Sequence, residues 1–206
     1  MIAESWPADA FEALYRERPD PWGFESSPYE QAKLAHLLDF LPHPRFAAAV
    51  EIGCAIGVST AALAQRCDRL LAIDAAEAAL QHARHRCAPM GHVSFLRAYI
   101  PAEFPPMAGQ ATDLLIVSEL LYFLSPPDID AVVRVVLPTM QPDGTIVLAN
   151  WIGQTDTPCT GDQAAERFIL VCQQAGWHLT AQARQPGYRL DRLERASDAS
   201  AAMPAV

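Results

Sequence analysis

Val50-Glu51-Ile52-Gly53-Cys54-Ala55-Ile56-Gly57 decides how this chain reads. An acidic residue stands at the end of an apolar strand, a glycine-bearing turn follows, and an alanine-rich helix comes next. A second apolar run, Leu70-Leu71-Ala72-Ile73, ends in Asp74, 17 residues after Gly57. A turn with little side-chain bulk lets a ligand lie against the backbone, and a carboxylate at the tip of the next strand holds both hydroxyls of a ribose. The pattern therefore predicts an adenosine-type cofactor. A glycine turn alone says little, but strand, turn, helix and acid-tipped strand at this spacing say much more.

Outward from this turn, strands and helices alternate. Strands are expected near 48–53, 69–74, 92–97, 112–118 and 144–151, with helices near 58–66, 76–87 and 126–139. Asp113-Leu114-Leu115-Ile116-Val117 has no polar alternation, so that strand is covered on both faces, as in a parallel sheet. Such alternation gives a doubly wound, Rossmann-like α/β sheet with its ligand at the carboxyl ends of the strands. A helix near 162–175 ends at Gly176, and Trp177–Arg184 and Tyr188–Glu194 flank Gln185-Pro186-Gly187, which predicts an antiparallel hairpin. Ser125 before Pro126-Pro127 starts a helix, and Pro142-Asp143-Gly144 reads as a turn.

Upstream, residues 1–10 are expected to be poorly ordered and Phe11–Tyr15 to form a short helix. Pro19 to Phe24 reads as a turn carrying two large aromatics. Ser27-Pro28 opens a helix that runs to about Leu41, with a capping hydroxyl, proline at the first helical position and Leu34, Leu37, Leu38 and Leu41 on one face.

The bulk properties narrow the function. With 206 residues, 51% hydrophobic and 19% charged, the chain has room for one substantial core. A net charge of −9 argues against a nucleic-acid partner and against docking on anionic membranes. The five cysteines are odd in number and form no CxxC pair, which disfavours a disulfide framework or zinc site and fits a reducing compartment. Neither a signal peptide nor an apolar run of the ~20 residues that a membrane helix needs is visible. The expectation is a soluble, cytoplasmic protein without a metal site, and the six scattered histidines agree.

Glu51-x-Gly53-x-Ala55-x-Gly57 resembles motif I of class I S-adenosylmethionine-dependent methyltransferases, and the antiparallel finish suits their seven-stranded sheet. Ala55 stands where many members carry glycine, which the loop tolerates if the backbone there does not need φ > 0. Asp20-Pro21-Trp22-Gly23-Phe24, Ser27-Pro28-Tyr29-Glu30-x-x-Lys33, Ser118 to Leu124, Asn150-Trp151 and Thr160-Gly161-Asp162-x-Ala164-Ala165-Glu166 are similar to the nodulation protein S (NodS) family. The resemblance spans roughly residues 11–194 and implies an N-terminal helical cap over 1–44 and a methyltransferase domain over 45–195, and the Ala/Ser/Pro-rich composition of 196–206 predicts a flexible tail.

The resemblance implies S-adenosyl-L-methionine as cofactor, with Glu51, Gly53, Ala55 and Gly57 at the turn, Asp74 on the ribose, and Ala98, Tyr99 and Ser118 at neighbouring strand ends. Trp22 and Tyr29 would close over it, with Lys33 or Gln31 near its carboxylate, and Tyr29 is also a candidate acceptor contact. It also implies N-methylation of a free glucosamine amine in a deacetylated chitooligosaccharide or another small amine. Glu119, directly after the buried fourth strand, is the expected catalytic carboxylate, since a charge there is costly unless solvated, paired or useful. Tyr122, one turn later, lines the acceptor pocket or bonds to the amine. Asn150, Trp151 and Asp156 are candidate acceptor contacts, with Trp151 offering its ring to a sugar face, and Asp162 is expected to cap its helix. A methyltransferase for an unrelated small-molecule acceptor (O- or N-), a nicotinamide-dependent oxidoreductase and a non-catalytic protein of the same fold stay as alternatives, the second disfavoured by the missing GxGxxG.

Overall fold

Leu114, Leu115, Ile116 and Val117 are each at most 1% exposed. Leu115 and Val117 enter one core and Leu114 and Ile116 the other, as strand alternation requires of a sheet covered on both sides. The structure, a computed structural model, describes residues 4–106 and 111–195, so the tail expected at 196–206 lies outside the described residues.

One sheet contains β1 (Ala49–Ile52), β2 (Leu70–Asp74), β3 (Val93–Arg97), β4 (Thr112–Ser118), β5 (Met140–Trp151), β6 (Trp177–Arg184) and β7 (Tyr188–Arg195). Their order is β3-β2-β1-β4-β5-β7-β6. β1 to β5 pair in parallel, and β7 runs antiparallel to both β5 and β6. This is the mostly parallel class I methyltransferase sheet with its terminal hairpin. The order reverses at β1 and β4, which opens a crevice beyond their carboxyl ends.

Helices α5 (Pro126–Val136) and α6 (Gly161–Gln174) cover one face through Ile129, Val132, Val133 and Val136 and through Ala164, Phe168, Ile169 and Cys172. Both sets recur at the three- and four-residue spacing of one helix face. Leu37 of α2 (Pro28–Phe40), Leu41 just beyond it and Leu63 of α3 (Val58–Leu63) pack on the other face with Leu114, Ile116 and Val147. Helix α1 (Ala8–Glu17) lies against α4 (Glu77–Arg86), where Glu12 accepts a 3.1 Å bond from the Ala78 backbone N–H. That acidic group serves an N-terminus whose own Ala76 cap has no side-chain acceptor.

Four expectations are corrected. Residues 4–10 are structured: the Trp6 N–H donates to the Phe123 carbonyl at 2.9 Å, its ring lies 4.9 Å from that of Phe123, and α1 begins at Ala8. Burial of the Trp6 ring outweighs the polar, proline-bearing composition around it. Second, β5 starts at Met140 and contains Pro142-Asp143-Gly144. Pairing jumps from Thr112↔Met140 to Leu114↔Thr145, so an irregularity absorbs the extra residues and relieves Pro142 of a ladder hydrogen bond. Third, the Ser27 hydroxyl caps nothing, and Asp20 orders that turn by accepting from the N–H groups of Phe24 and Glu25 at 2.9 and 3.0 Å. Fourth, α6 is capped by Thr160 in a reciprocal box with Gln163, not by Asp162, which pairs with Arg184 and Arg189. Ser125 caps α5 as expected, accepting from the Asp128 N–H.

Candidate active site

The turn after β1 is built from backbone conformations that few residues adopt. Gly53 has φ +86°, and a Cβ there would lie 2.4 Å from the Ser118 carbonyl oxygen. Ala55 has φ +49°, so the turn does need a left-handed residue where it carries a methyl group. The condition for costless tolerance is therefore not met, and alanine in this conformation costs roughly 1–2 kcal/mol. Gly57 has φ +79°, and its missing Cβ makes room for Ala83 of α4 rather than for a ligand. Glu51 is fully buried and accepts bonds from the hydroxyls of Ser59 and Thr60, the latter at 2.6 Å. Burial pushes its carboxyl above the ordinary value while the two hydroxyls pull it back. Glu51 and Gly57 do not line the cavity described below, contrary to the ligand-facing role expected for them. They fasten the turn to α3 and α4.

Asp74 ends β2 with its carboxylate accepting from the Ala55 N–H and the Ala76 N–H, each at 2.9 Å. Burial raises its pKa, and the N–H groups of Ala76 and Ala55 oppose that shift. An ionised carboxylate accepts about four hydrogen bonds, so roughly two acceptor positions stay free. Beyond β3, the Tyr99 hydroxyl donates to the Trp6 carbonyl at 2.8 Å and ties the N-terminal segment across the crevice.

A cavity of about 1030 Å³ occupies this edge of the sheet. Its wall brings together Trp22, Tyr29, Lys33, Gly53, Ala55, Asp74, Ala98, Tyr99, Ser118, Glu119, Tyr122, Trp151 and Asp156, all expected site residues. Tyr15 and Glu30 also line it and were not foreseen. Tyr15 is inconspicuous in sequence, although it lies four residues after Phe11 on the same helix face. Burial, then the charge of Asp74, pushes its phenol well above the usual range. The Trp22 ring stands 5.6 Å from the Tyr15 ring, edge to face.

Glu119 has φ +52°, a strained conformation for a side chain of this size, and its N–H donates to the Ala149 carbonyl at 2.8 Å. Its carboxylate collects three donors. Lys33 Nζ approaches Oε1 at 2.6 Å, while the Tyr122 hydroxyl and the Trp151 N–H reach Oε2 at 2.8 and 2.9 Å. Lys33 also pairs with Glu30 Oε2 at 2.8 Å. Burial favours the neutral amine of Lys33, but the Glu119 and Glu30 carboxylates outweigh it and hold the ammonium above its ordinary range. Burial, then the Glu119 charge, raises the Tyr122 phenol well above its usual value, so it stays a proton donor to Glu119.

The Trp151 ring meets the Tyr29 ring edge to face at 6.0 Å and rests where Cβ atoms on Gly153 and Gly187 would intrude, at 2.2 and 2.7 Å. Asn150 lies elsewhere. It is fully buried, its amide atoms have no partner among the described residues, and it does not line the cavity. Strand alternation explains this, because neighbours of Trp151 point to the opposite face. Five carboxylates (Glu17, Glu30, Asp74, Glu119, Asp156) and two cations (Arg18, Lys33) line the cavity, a balance that favours cationic ligands. Among the described residues there is no group of three or more metal-ligating side chains and no helix long and apolar enough to cross a membrane.

Known proteins resemble this chain in sequence and in fold. Nodulation protein S of Bradyrhizobium diazoefficiens is 31% identical over 133 residues, 64% of this chain and 62% of that protein. That of Rhizobium tropici is 34% identical over 119 residues, 56% of this chain and 49% of that protein. The chain thus spans about half to two thirds of the length of these relatives. In structure, the N-methyltransferase NodS from Bradyrhizobium japonicum WM9, solved with S-adenosyl-L-homocysteine, superposes with a TM-score of 0.77 at 23% identity, covering 91% of this chain and 98% of that one. Phosphoethanolamine N-methyltransferase 1 of Haemonchus contortus gives 0.71 at 18% identity, covering 93% of this chain and 49% of that one. Both likenesses show the fold. The Nodulation protein S (NodS) family profile matches residues 9–161, and the chain belongs to that family.

Proposed function

We propose that this chain is an S-adenosyl-L-methionine-dependent N-methyltransferase acting on a small amine, with a free glucosamine amine of a deacetylated chitooligosaccharide or related amino sugar as acceptor. The observation that carries the reading is the shared cavity, with the half-satisfied Asp74 carboxylate and the three-donor Glu119 carboxylate on its wall. The residues present fit the cofactor: Gly53 offers bare backbone, Asp74 has acceptor capacity left, and the turn is neutral, as suits a nucleoside without a pyrophosphate. When bound, the cofactor supplies an activated sulfonium methyl.

The protein's part is placement and proton handling. Asp74 accepts from the ribose hydroxyls, Ala98 and Tyr99 flank the base, and Tyr15 and Trp22 exclude water from above. Correct placement in a dry site is worth about 7–11 kcal/mol of barrier. An amine attacks only in its neutral form. Glu119 Oε1 orients the amine and receives its proton, while Tyr122 and the Trp151 N–H hold Oε2 still. Trp151 and Tyr29 offer aromatic surface to a sugar ring.

The test has two stages. S-adenosyl-L-homocysteine at 100 times its Kd stabilises the fold by about 2.7 kcal/mol, a Tm rise of about 5–11 °C for a chain of this size. Labelled methyl then transfers to a glucosamine oligomer with one free terminal amine and not to its fully acetylated counterpart. Absence of the Tm rise refutes the cofactor, and transfer to neither oligomer refutes the acceptor.

A further inference from the structure

We infer that Lys33 is a specificity-determining residue whose ammonium holds the place an acceptor ammonium takes beside Glu119, so an acceptor must displace a cation to enter. The inference rests on the amine-acceptor reading above and adds the position of the amine and the residue that guards it. Lys33 Nζ lies 2.6 Å from Glu119 Oε1, 2.8 Å from Glu30 Oε2 and 5.6 Å from the centre of the Tyr29 ring. Two carboxylates and an aromatic face make a binding set for an alkylammonium ion. In this chain a tethered alkylammonium fills it. All four residues line the main cavity, so the set belongs to the wall that an acceptor meets.

Two features make the place exchangeable. Glu119 is held by Tyr122, by the Trp151 N–H and by its own N–H bond to Ala149, none of which involves Lys33. The carboxylate therefore keeps its position when the lysine leaves. Lys33 rides on α2 through a flexible four-carbon stem, and a small side cavity of about 60 Å³ beside it is lined by Gly53, Ala55 and Ser118. The ammonium can withdraw without shifting the helix. A neutral hydroxyl acceptor that pushes Lys33 aside leaves the half-buried Glu30 and Glu119 carboxylates uncompensated, whereas a protonated amine restores the charge balance. Lys33 thereby selects amines over alcohols. The incoming ammonium gives up its proton to Glu119 Oε1 or to water before it attacks, so the exchange itself is cation for cation.

The first test is Lys33→Met, which keeps the stem and removes the charge. With S-adenosyl-L-homocysteine saturating, calorimetry measures binding of a glucosamine tetramer. If the lysine holds the place 90–99% of the time, its removal tightens binding about 10–100-fold, with a matching fall in KM. A purely structural role on α2 weakens the nucleoside and leaves the tetramer unimproved, and where the wild type binds the tetramer, equal or weaker binding by the variant overturns the inference. The second test does not depend on the sugar. Lys33→Ala empties the place, and propylammonium chloride is expected to raise its Tm beyond potassium chloride of equal ionic strength, with no such gain in the wild type or in the Lys33→Ala, Glu119→Gln double variant. No rescue overturns the inference. Rescue without tetramer binding to either protein upholds the ammonium place and refutes the amino-sugar acceptor.

Discussion

Gly57→Ala tests what the second motif glycine is for. The new Cβ would stand 2.8 Å from Ala83 Cα and 2.9 Å from Ala83 Cβ, closer than real Cβ contacts. Its backbone, at φ +79°, lies in the left-handed region. The conformational cost is about 1–2 kcal/mol and the overpacking cost about 1–3 kcal/mol, together about 2–5 kcal/mol. At roughly 2–4 °C per kcal/mol for a chain of this size, thermal unfolding should shift down by about 4–20 °C. Gly57 does not line the cavity, so S-adenosyl-L-homocysteine affinity, measured by calorimetry well below the lowered Tm, should stay within about threefold of wild type. Ala83→Gly supplies the internal check. Alone it costs about 1 kcal/mol as a helix glycine. Combined with Gly57→Ala it removes the clashing methyl, so the two losses should fall short of additivity by about 0.5–3 kcal/mol. An unchanged Tm with lost nucleoside affinity would refute the reasoning and return Gly57 to the ligand wall.

Asp74→Ala should weaken S-adenosyl-L-homocysteine by about 1.5–3 kcal/mol, the worth of hydrogen bonds to a charged acceptor, and should lower Tm because the Ala55 and Ala76 N–H groups lose their partner; wild-type affinity by calorimetry contradicts the ribose role. Glu119→Gln should leave nucleoside affinity intact and cut turnover by about 100-fold or more, the range of a positioned base; unchanged kcat in a labelled-methyl assay removes Glu119 from the chemistry. The Arg184 guanidinium, with Arg189 also pairing, holds the Asp162 carboxyl down from 3.8 to about 2. A depressed folded-state pKa contributes stability that is present above 3.8 and lost as pH falls towards 2. The Tm gap between wild type and Asp162→Asn should therefore be constant near neutrality and close between about pH 4 and pH 2; a gap that persists at pH 2 contradicts the pairing.

Much of the architecture is written locally. The unbroken apolar run at 114–117 specifies a doubly covered strand because no face of it tolerates water. Ser125-Pro126 marks the start of α5, since cap and proline act on the same few backbone groups. The start of β5 and the order of residues 4–10 were not legible. Each depends on a partner distant in sequence: Thr112 across the sheet for Met140, and Phe123 for Trp6. The expected ligand contacts divide in the same way. Gly53 and Asp74 lie at strand ends, and strand ends define the crevice. Asn150 lies at one too, but alternation turns its side chain inward and leaves Trp151 to form the wall.

By itself the amino-acid sequence determined the sheet, the turn after β1 and the acid at the tip of β2, because periodicity and turn chemistry act over a few neighbouring residues. Only the tertiary structure decided that Glu51 and Gly57 brace the turn, that Ala55 is left-handed, and that Lys33 meets Glu119 across 86 residues of chain. No local pattern encodes such meetings. They follow from how helices cross the sheet, and that crossing is settled by the packing of the whole core.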